Sequence, residues 1–356
     1  MKISVKVNSM STPSEIPFQD LLDALVDIEN HVHSRYLYRL SDLEPEEIAT
    51  LQKTWHHIPL WRRQALMRDL EELGNSNDLL SFEAIGRHAL CDEDPGVRNL
   101  AVRILWEFET LDLVPLFLNL METDTDAGVR AAAASALGRF VYSGEIDQLP
   151  KKVLREIEDR LLRLIQSDEP AQVRRRALES VSYSGRQEVP ALIEEAFSSG
   201  ETEWMASALI AMGRSIDERW VEDVISMLDS KFPILRAEAA RAAGELEISD
   251  SVPRLIELLD DSNENVRKAA VWSLSQIGGE GVREALEKLL EESDDYDEAD
   301  LLQNALDNLS FTEDFQLYSL FDFSQEDFEE EMLELLASEE DYLDIDSDED
   351  DEDIVD

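Results

Sequence analysis

Ser262-Asn-Glu-Asn-Val-Arg-Lys-Ala-Ala-Val-Trp-Ser-Leu-Ser-Gln-Ile-Gly278 is the stretch on which the fold turns. With Arg267 as anchor, the preceding residue is Val266, the third after it Ala270, the seventh Leu274 and the eighth Ser275. The same register recurs at Arg98 (Val97, Ala101, Leu105) and at Arg130 (Val129, Ala133, Leu137, Gly138). It appears again at Arg174 (Val173, Ala177, Val181, Ser182) and Arg236 (Leu235, Ala239, Ala243, Gly244). Met205 takes the anchor place once, with Trp204, Ala208, Met212 and Gly213. Leu302 heads a last copy with Leu301, Ala305, Leu309 and Ser310. Recurrence in one register defines a repeat array.

The offsets of minus one, three and seven place three side chains on one helical face. Alanine stands at plus three in every copy, which implies a contact too close for a longer side chain. The small residue at plus eight, with Trp106 as the exception, suits close approach of a neighbouring helix. Glycine inside a helix costs about 1 kcal/mol relative to alanine, so packing must compensate. A second amphipathic segment precedes each copy, best seen at Val252, Leu255, Ile256 and Leu259. Pro253 fits a first helical turn, where its missing N–H is no loss. Each unit therefore reads as a helix pair with a short polar turn. Met205, Arg236 and Arg267 are 31 residues apart, room for two short helices and two turns. One pair cannot bury both apolar faces, so pairs must stack.

This pattern resembles the HEAT repeat, in the short bacterial form called the phycobilin-lyase-like HEAT repeat. Asp94-Pro95-Gly96-Val97-Arg98, Asp126-Ala127-Gly128-Val129-Arg130 and Asn263-Glu264-Asn265-Val266-Arg267 carry the resemblance. It covers roughly Leu79–Ser310. It implies an all-α, right-handed solenoid of stacked helix pairs; arrays of this kind serve many roles.

The formal net charge is −49 over 356 residues, but it is unevenly spread. No Lys or Arg follows Lys288, and 29 of the acids lie from Glu291 to Asp356. Residues 1–290 carry 52 acids against 32 bases, a net −20. The body is moderately acidic and the C-terminal segment is a charge block. Cys91 stands alone, which excludes an intramolecular disulfide framework and fits a reducing compartment. Met1–Met10 has no apolar run of signal-peptide length, and nothing approaches the ~18 apolar residues of a membrane span. A cytoplasmic protein with no membrane partner is expected.

In chain order, residues 1–15 are polar and expected to be disordered. Residues 16–78 form a divergent helical cap. Within it Phe18–Leu40 reads as one helix through Leu21, Leu22, Leu25, Ile28 and Val32. Asp42–Glu47 reads as a helix start, its acids favourable at the N-terminal dipole. Glu46–Ile58 and Leu60–Leu73 form the next pair. There Trp61, Arg62 and Ala65 echo the register, and Asp69 breaks it. Residues 79–310 form the solenoid. Val141–Lys152 is its one insertion, a longer loop or a longer first helix from Lys151. Glu291–Asp300 reads as an acidic linker. Residues 311–356 hold 21 acids and no base, interleaved with Phe315, Phe321, Phe323 and Phe328 as aromatic anchors. This tail is expected to be largely disordered: its end, Asp344–Asp353, is almost pure acid and cannot fold alone, and acidic-aromatic alternation is typical of sequences that order on a partner.

The repeated Arg98, Arg130, Arg174, Arg236 and Arg267 either bind an anionic ligand or form a structural ladder. The structural reading is adopted, with Asp94 and Asp126 as partners in stacked Asp–Arg pairs. Lys151, Lys152, Arg155, Arg163, Arg175 and Arg176 lie in a segment, Lys151–Arg176, of local charge +3, a candidate surface for a partner or for the acidic tail.

No metal or cofactor is expected. One HEAT-repeat family is a di-iron deoxyhypusine hydroxylase whose metal is held by repeated His-Glu dipeptides. Here Val32, Ser34, His57, Ile58 and Ala89 follow the five histidines, so that site does not carry over. His56-His57 reads as an exposed helix pair rather than a metal site. Phycobilin lyases leave no pocket signature to transfer, and HEAT-like DNA glycosylases need a basic groove that a body at −20 lacks, so no duplex nucleic acid is expected. Asp344, Asp346 and Asp348 mimic the start of a calcium loop, but Glu349 and Val355 occupy its glycine and bidentate-acid places. The expected function is a non-catalytic protein-interaction scaffold or assembly factor that binds its partner on the concave face. The alternatives are a HEAT-like oxidoreductase or lyase, and a regulator whose acidic tail mimics nucleic acid.

Overall fold

The computed structural model describes residues 16–320. They form helices α1 (Phe18–Val26), α2 (Arg35–Tyr38), α3 (Pro45–Trp55) and α4 (Leu60–Ser76), followed by helix pairs. The pairs are α5 (Glu83–Ala89) with α6 (Pro95–Leu105), α7 (Leu113–Thr123) with α8 (Ala127–Glu145), and α9 (Lys151–Ile165) with α10 (Ala171–Val181). Next come α11 (Val189–Ser198) with α12 (Thr202–Arg214) and α13 (Val221–Met227) with α14 (Pro233–Glu245). Last are α15 (Val252–Leu258) with α16 (Glu264–Ile277) and α17 (Val282–Glu292) with α18 (Tyr296–Leu320). There is no strand among the described residues. The chain divides within α14 into two compact units, one through Ala242 and one from Ala243.

Every anchor falls on the second helix of its pair, and the reason is the buried face. The alanines at plus three are completely buried in six copies, and Ala305 in the seventh is 6% exposed. The residues at plus seven are completely buried in all seven. In the first unit the second helices pack on one another in sequence, α4 on α6, α6 on α8, α8 on α10 and α10 on α12. The first helices touch each other far less. Gly138 explains how α8 and α10 come so close: a Cβ there would stand 3.2 Å from the Cα of Ser180. In the second unit α15 packs on α16, and α18 on both α16 and α17. Gly244 plays the part of Gly138 against Ser273.

The helix starts are chemically specified. Asp94 accepts a hydrogen bond from the Val97 amide at 3.0 Å. Asp126 accepts from Gly128 and Val129 at 2.8 and 3.1 Å, and Asn263 accepts from Asn265 and Val266. Each satisfies amides that have no partner inside the helix. Glu44 and Glu47 form a capping box ahead of α3.

The cap departs from its reading in two ways. Phe18–Leu40 is not one helix; α1 ends at Val26. The Asp27 carboxylate accepts from the Glu29 amide at 2.8 Å and from the Asn30 side chain at 2.7 Å, a local turn that competes with the helix. Ile28 is consequently 65% exposed instead of lying in the core. In α4 the buried residues are Arg62, Arg63, Leu66, Met67 and Leu70, so the register runs from Arg63 and slides one residue past the expected Arg62. Arg62 turns instead to the open end of α1, donating to the carbonyls of Ala24 and Asn30 at 2.7 and 2.9 Å. The insertion between Arg130 and Arg174 is shared by two long helices, 19 residues in α8 and 15 in α9, with a short connection. The acidic linker shrinks to three residues between Glu292 and Tyr296, and α18 continues beyond Ser310 to Leu320.

Candidate protein-binding face

The anchor arginines share one geometry. Arg98, Arg130, Arg236 and Arg267 each donate to the carbonyl six residues earlier, those of Asp92, Asp124, Ser230 and Asp261, at 2.7–3.0 Å. These are carbonyls near the end of the first helix or in the turn after it, which no helical N–H reaches. For Arg98, Arg130 and the cap's Arg63 the facing carboxylate comes from the next repeat. Arg98 meets both oxygens of Asp124 at 2.7 Å, Arg130 meets Glu169 at 2.8 Å, and Arg63 meets Asp92 at 3.3 Å. Asp94 and Asp126 therefore cap helices, and the partner of Arg98 is Asp124, two residues before Asp126. Arg174 differs: its Nε donates to the Ile165 carbonyl at 2.7 Å and its guanidinium stacks on Trp204 at 5.3 Å.

Burial raises the Asp124 carboxyl, but the Arg98 hydrogen bonds, the Asp126 amide and the charges of Arg98 and Arg130 outweigh it and hold it below its ordinary value. A carboxyl depressed in the folded state adds stability above the unfolded pKa, and loses it as pH falls through the folded one. The melting difference between the wild type and Asp124→Asn should thus be full at pH 7 and shrink steadily below about pH 4. Thermal melts across that range check it; a difference independent of pH contradicts it.

The side of the second-helix layer away from the first helices carries a different chemistry. Arg103 and Trp106 belong to α6 and its end, Arg139 and Tyr142 to α8, Arg176 and Tyr183 to α10 and the turn after it. Spacings of three and seven put each arginine and its ring on one helix face. Trp106 and Tyr142 are 44% and 47% exposed. Tyr142 and Tyr183 meet edge to face at 5.5 Å, and Arg214 lies 5.1 Å over the Tyr183 ring. A cleft of about 570 Å³ opens here, floored by Ala131, Ala132 and Ser135 and flanked by Arg103, Trp106 and Arg176. Sequence reasoning missed this face. The signal was there in arginine and aromatic residues at helical spacing beside the buried stripe, in helices α6, α8, α10 and α12 that hold eight arginines, no lysine and three glutamates.

The basic segment Lys151–Arg176 is not one patch. Lys151, Lys152, Arg155 and Arg163 sit on α9, a first helix, whereas Arg175 and Arg176 sit on α10 in the second-helix layer. Arg155 and Arg175 already face Glu158 and Glu203, at 3.7 and 3.0 Å. Phe315 falls within α18; Phe321, Phe323 and Phe328 lie outside the described residues. Among the described residues no group of three or more His, Cys, Asp or Glu is placed to hold a metal, and no helix is long and apolar enough to cross a membrane.

Stacked helix pairs with a buried alanine column, capped turns and a capping arginine define an all-helical repeat protein. Residues 87–157 and 221–306 match the family model for HEAT repeats. No curated protein is matched by the sequence. Among solved structures it is similar to YibA of E. coli, with 17% identity over 80% of this chain and 99% of that one, at a TM-score of 0.40. It is also similar to the CpcE–CpcF complex of phycocyanin lyase from Nostoc sp. PCC7120, with 20% identity over 64% and 94% and a TM-score of 0.42. Human deoxyhypusine hydroxylase gives 15% identity over 84% and 97%, with a TM-score of 0.34.

Proposed function

We propose that this protein is a non-catalytic scaffold that binds a protein partner on the second-helix face of its first unit. Within this unit the second helices pack more closely on one another than the first helices do, which supports taking their layer as its inner, partner-facing side. The observation that carries the reading is the pair of half-exposed rings, Trp106 and Tyr142, beside arginines on that surface. Aromatic and arginine side chains are the residue types that dominate binding energy at protein interfaces.

Affinity capture from native lysate tests it. The wild type should retain a partner that the double variant Trp106→Ala, Tyr142→Ala loses by about tenfold or more. Leu116→Ala, an exposed position on α7, should change nothing. Equal capture by all three proteins overturns the assignment of the face.

A further inference from the structure

We infer that the segment bound on this face is acidic and carries aromatic side chains, with its carboxylates received by Arg103, Arg139 and Arg176. The inference rests on the scaffold reading and adds the chemistry of the partner. Each of these guanidiniums is held from one side by a carboxylate of the protein. Arg103 meets Glu71 at 2.5 Å, Arg139 meets Glu109 at 2.5 Å, and Arg176 meets Glu179. Two of these acids, Glu71 and Glu179, lie beneath their arginines, whereas Glu109 is about as exposed as Arg139. Arg103 is 58% exposed over a Glu71 that is 10% exposed, and Arg176 is 41% exposed over a Glu179 that is 4% exposed. Ser207 donates to Glu179 at 2.6 Å, and Ser143 to Glu109 at 2.7 Å, which fixes the acids in turn.

A guanidinium has five N–H donors in a planar fork. One internal carboxylate occupies one edge, so another edge faces solvent, already oriented. An incoming carboxylate then forms charge-assisted bonds without first ordering a long side chain. The rings beside each arginine, Trp106, Tyr142 and Tyr183, offer apolar faces to an aromatic or aliphatic neighbour of that carboxylate. The small floor of Ala131, Ala132 and Ser135 leaves room for a backbone to lie across α8. A long polyanion such as a nucleic acid is disfavoured, because residues 1–290 carry a net −20 that repels it over its length. A short acidic segment meets mainly the local donors, since more distant charges are screened beyond about 8 Å.

The test measures binding of the full chain, by fluorescence anisotropy at physiological salt, to a dye-labelled peptide repeating Asp-Phe-Glu. Companion probes are a neutral peptide repeating Asn-Phe-Gln and a single-stranded oligothymidine. Arg103→Gln with Arg176→Gln should weaken the acidic peptide about tenfold. Glu71→Gln should strengthen it, because Arg103 loses its internal counter-charge; a purely structural role for that pair gives weakening or no change instead. Arg163→Gln, the same loss of charge on α9, should leave affinity unchanged. Loss of binding through unfolding is separated by circular dichroism and by the opposite sign of the Glu71→Gln variant. The inference is overturned if the wild type does not bind the acidic peptide. It is equally overturned if the neutral peptide or the oligonucleotide binds as well, or if the second-helix variants match Arg163→Gln. A captured partner that is lost with Trp106 and Tyr142 but is indifferent to Arg103 and Arg176 overturns this inference alone and leaves the scaffold reading standing.

Discussion

Gly244→Ala should destabilise the protein by about 2 kcal/mol, while the same substitution at Gly74 should stabilise it by up to about 1 kcal/mol. Both glycines lie inside helices, where alanine is intrinsically the better residue. The difference is what the new methyl meets. At Gly244 it would stand 2.7 Å from the Trp272 ring, and 2.9 Å from both the Cα and the hydroxyl oxygen of Ser273. A backbone atom cannot step aside as the end of a side chain can, so α16 must move away from α14. At Gly74 the nearest atom is a Phe82 ring carbon at 3.6 Å, an ordinary contact. Valine at position 244 should cost more than alanine, because its second methyl must also find room. Thermal melts of the two alanine variants settle the matter: opposite shifts are expected, and a Gly244→Ala protein as stable as the wild type means that the helices are not in this register. Ala270→Leu should act in the same direction as Gly244→Ala, since Ala270 is completely buried.

Arg98→Ala should cost about 3 kcal/mol or more. Three losses combine. Asp124, with a side chain only 5% exposed, would keep its charge without its bidentate partner. The carbonyls of Asp92 and Glu93, which Arg98 serves at 2.8 and 3.0 Å, would lose their donor. The joint between two consecutive pairs would lose one of its two bidentate ion pairs, leaving that of Arg87 with Asp112. Arg98→Ala combined with Asp124→Ala should recover part of the loss, because no charge is then stranded. Denaturant unfolding of the two single variants and the double variant closes the cycle. Strictly additive losses contradict the ladder geometry.

Much of the fold could be read from one column of alanines. A helix contact that admits only Ala leaves an unvarying mark, and the anchor register follows from it. The cap was less legible because its alanine column is absent: with Leu66 at plus three, the neighbouring arginines Arg62 and Arg63 offer two registers, and only burial separates them. The break after Val26 turns on the Asp27 side chain capturing its own chain, which hydrophobic spacing cannot show. The ladder partner was misplaced by two residues for a related reason. Asp94 and Asp126 stand in the more conspicuous turn position and serve as caps, while the pairing acids stand six residues before an anchor, at Asp92 and Asp124. The small residue at plus six, Ser180 or Ser273, was overlooked, although it is the surface that receives Gly138 or Gly244. The face proposed to bind a partner left the weakest trace, because its arginines and rings sit at plus two to plus twelve from their anchors and share no single column.

A photo-crosslinking amino acid placed at position 106, and in a second protein at position 116, tests the central claim most directly. Trp106 belongs to the second-helix face, whereas Leu116 is exposed on the first helix α7. Irradiation of the two proteins in native lysate should give a discrete protein adduct from position 106 and none from position 116. An adduct from position 116 alone, or the same adduct from both, contradicts a partner seated on the second helices.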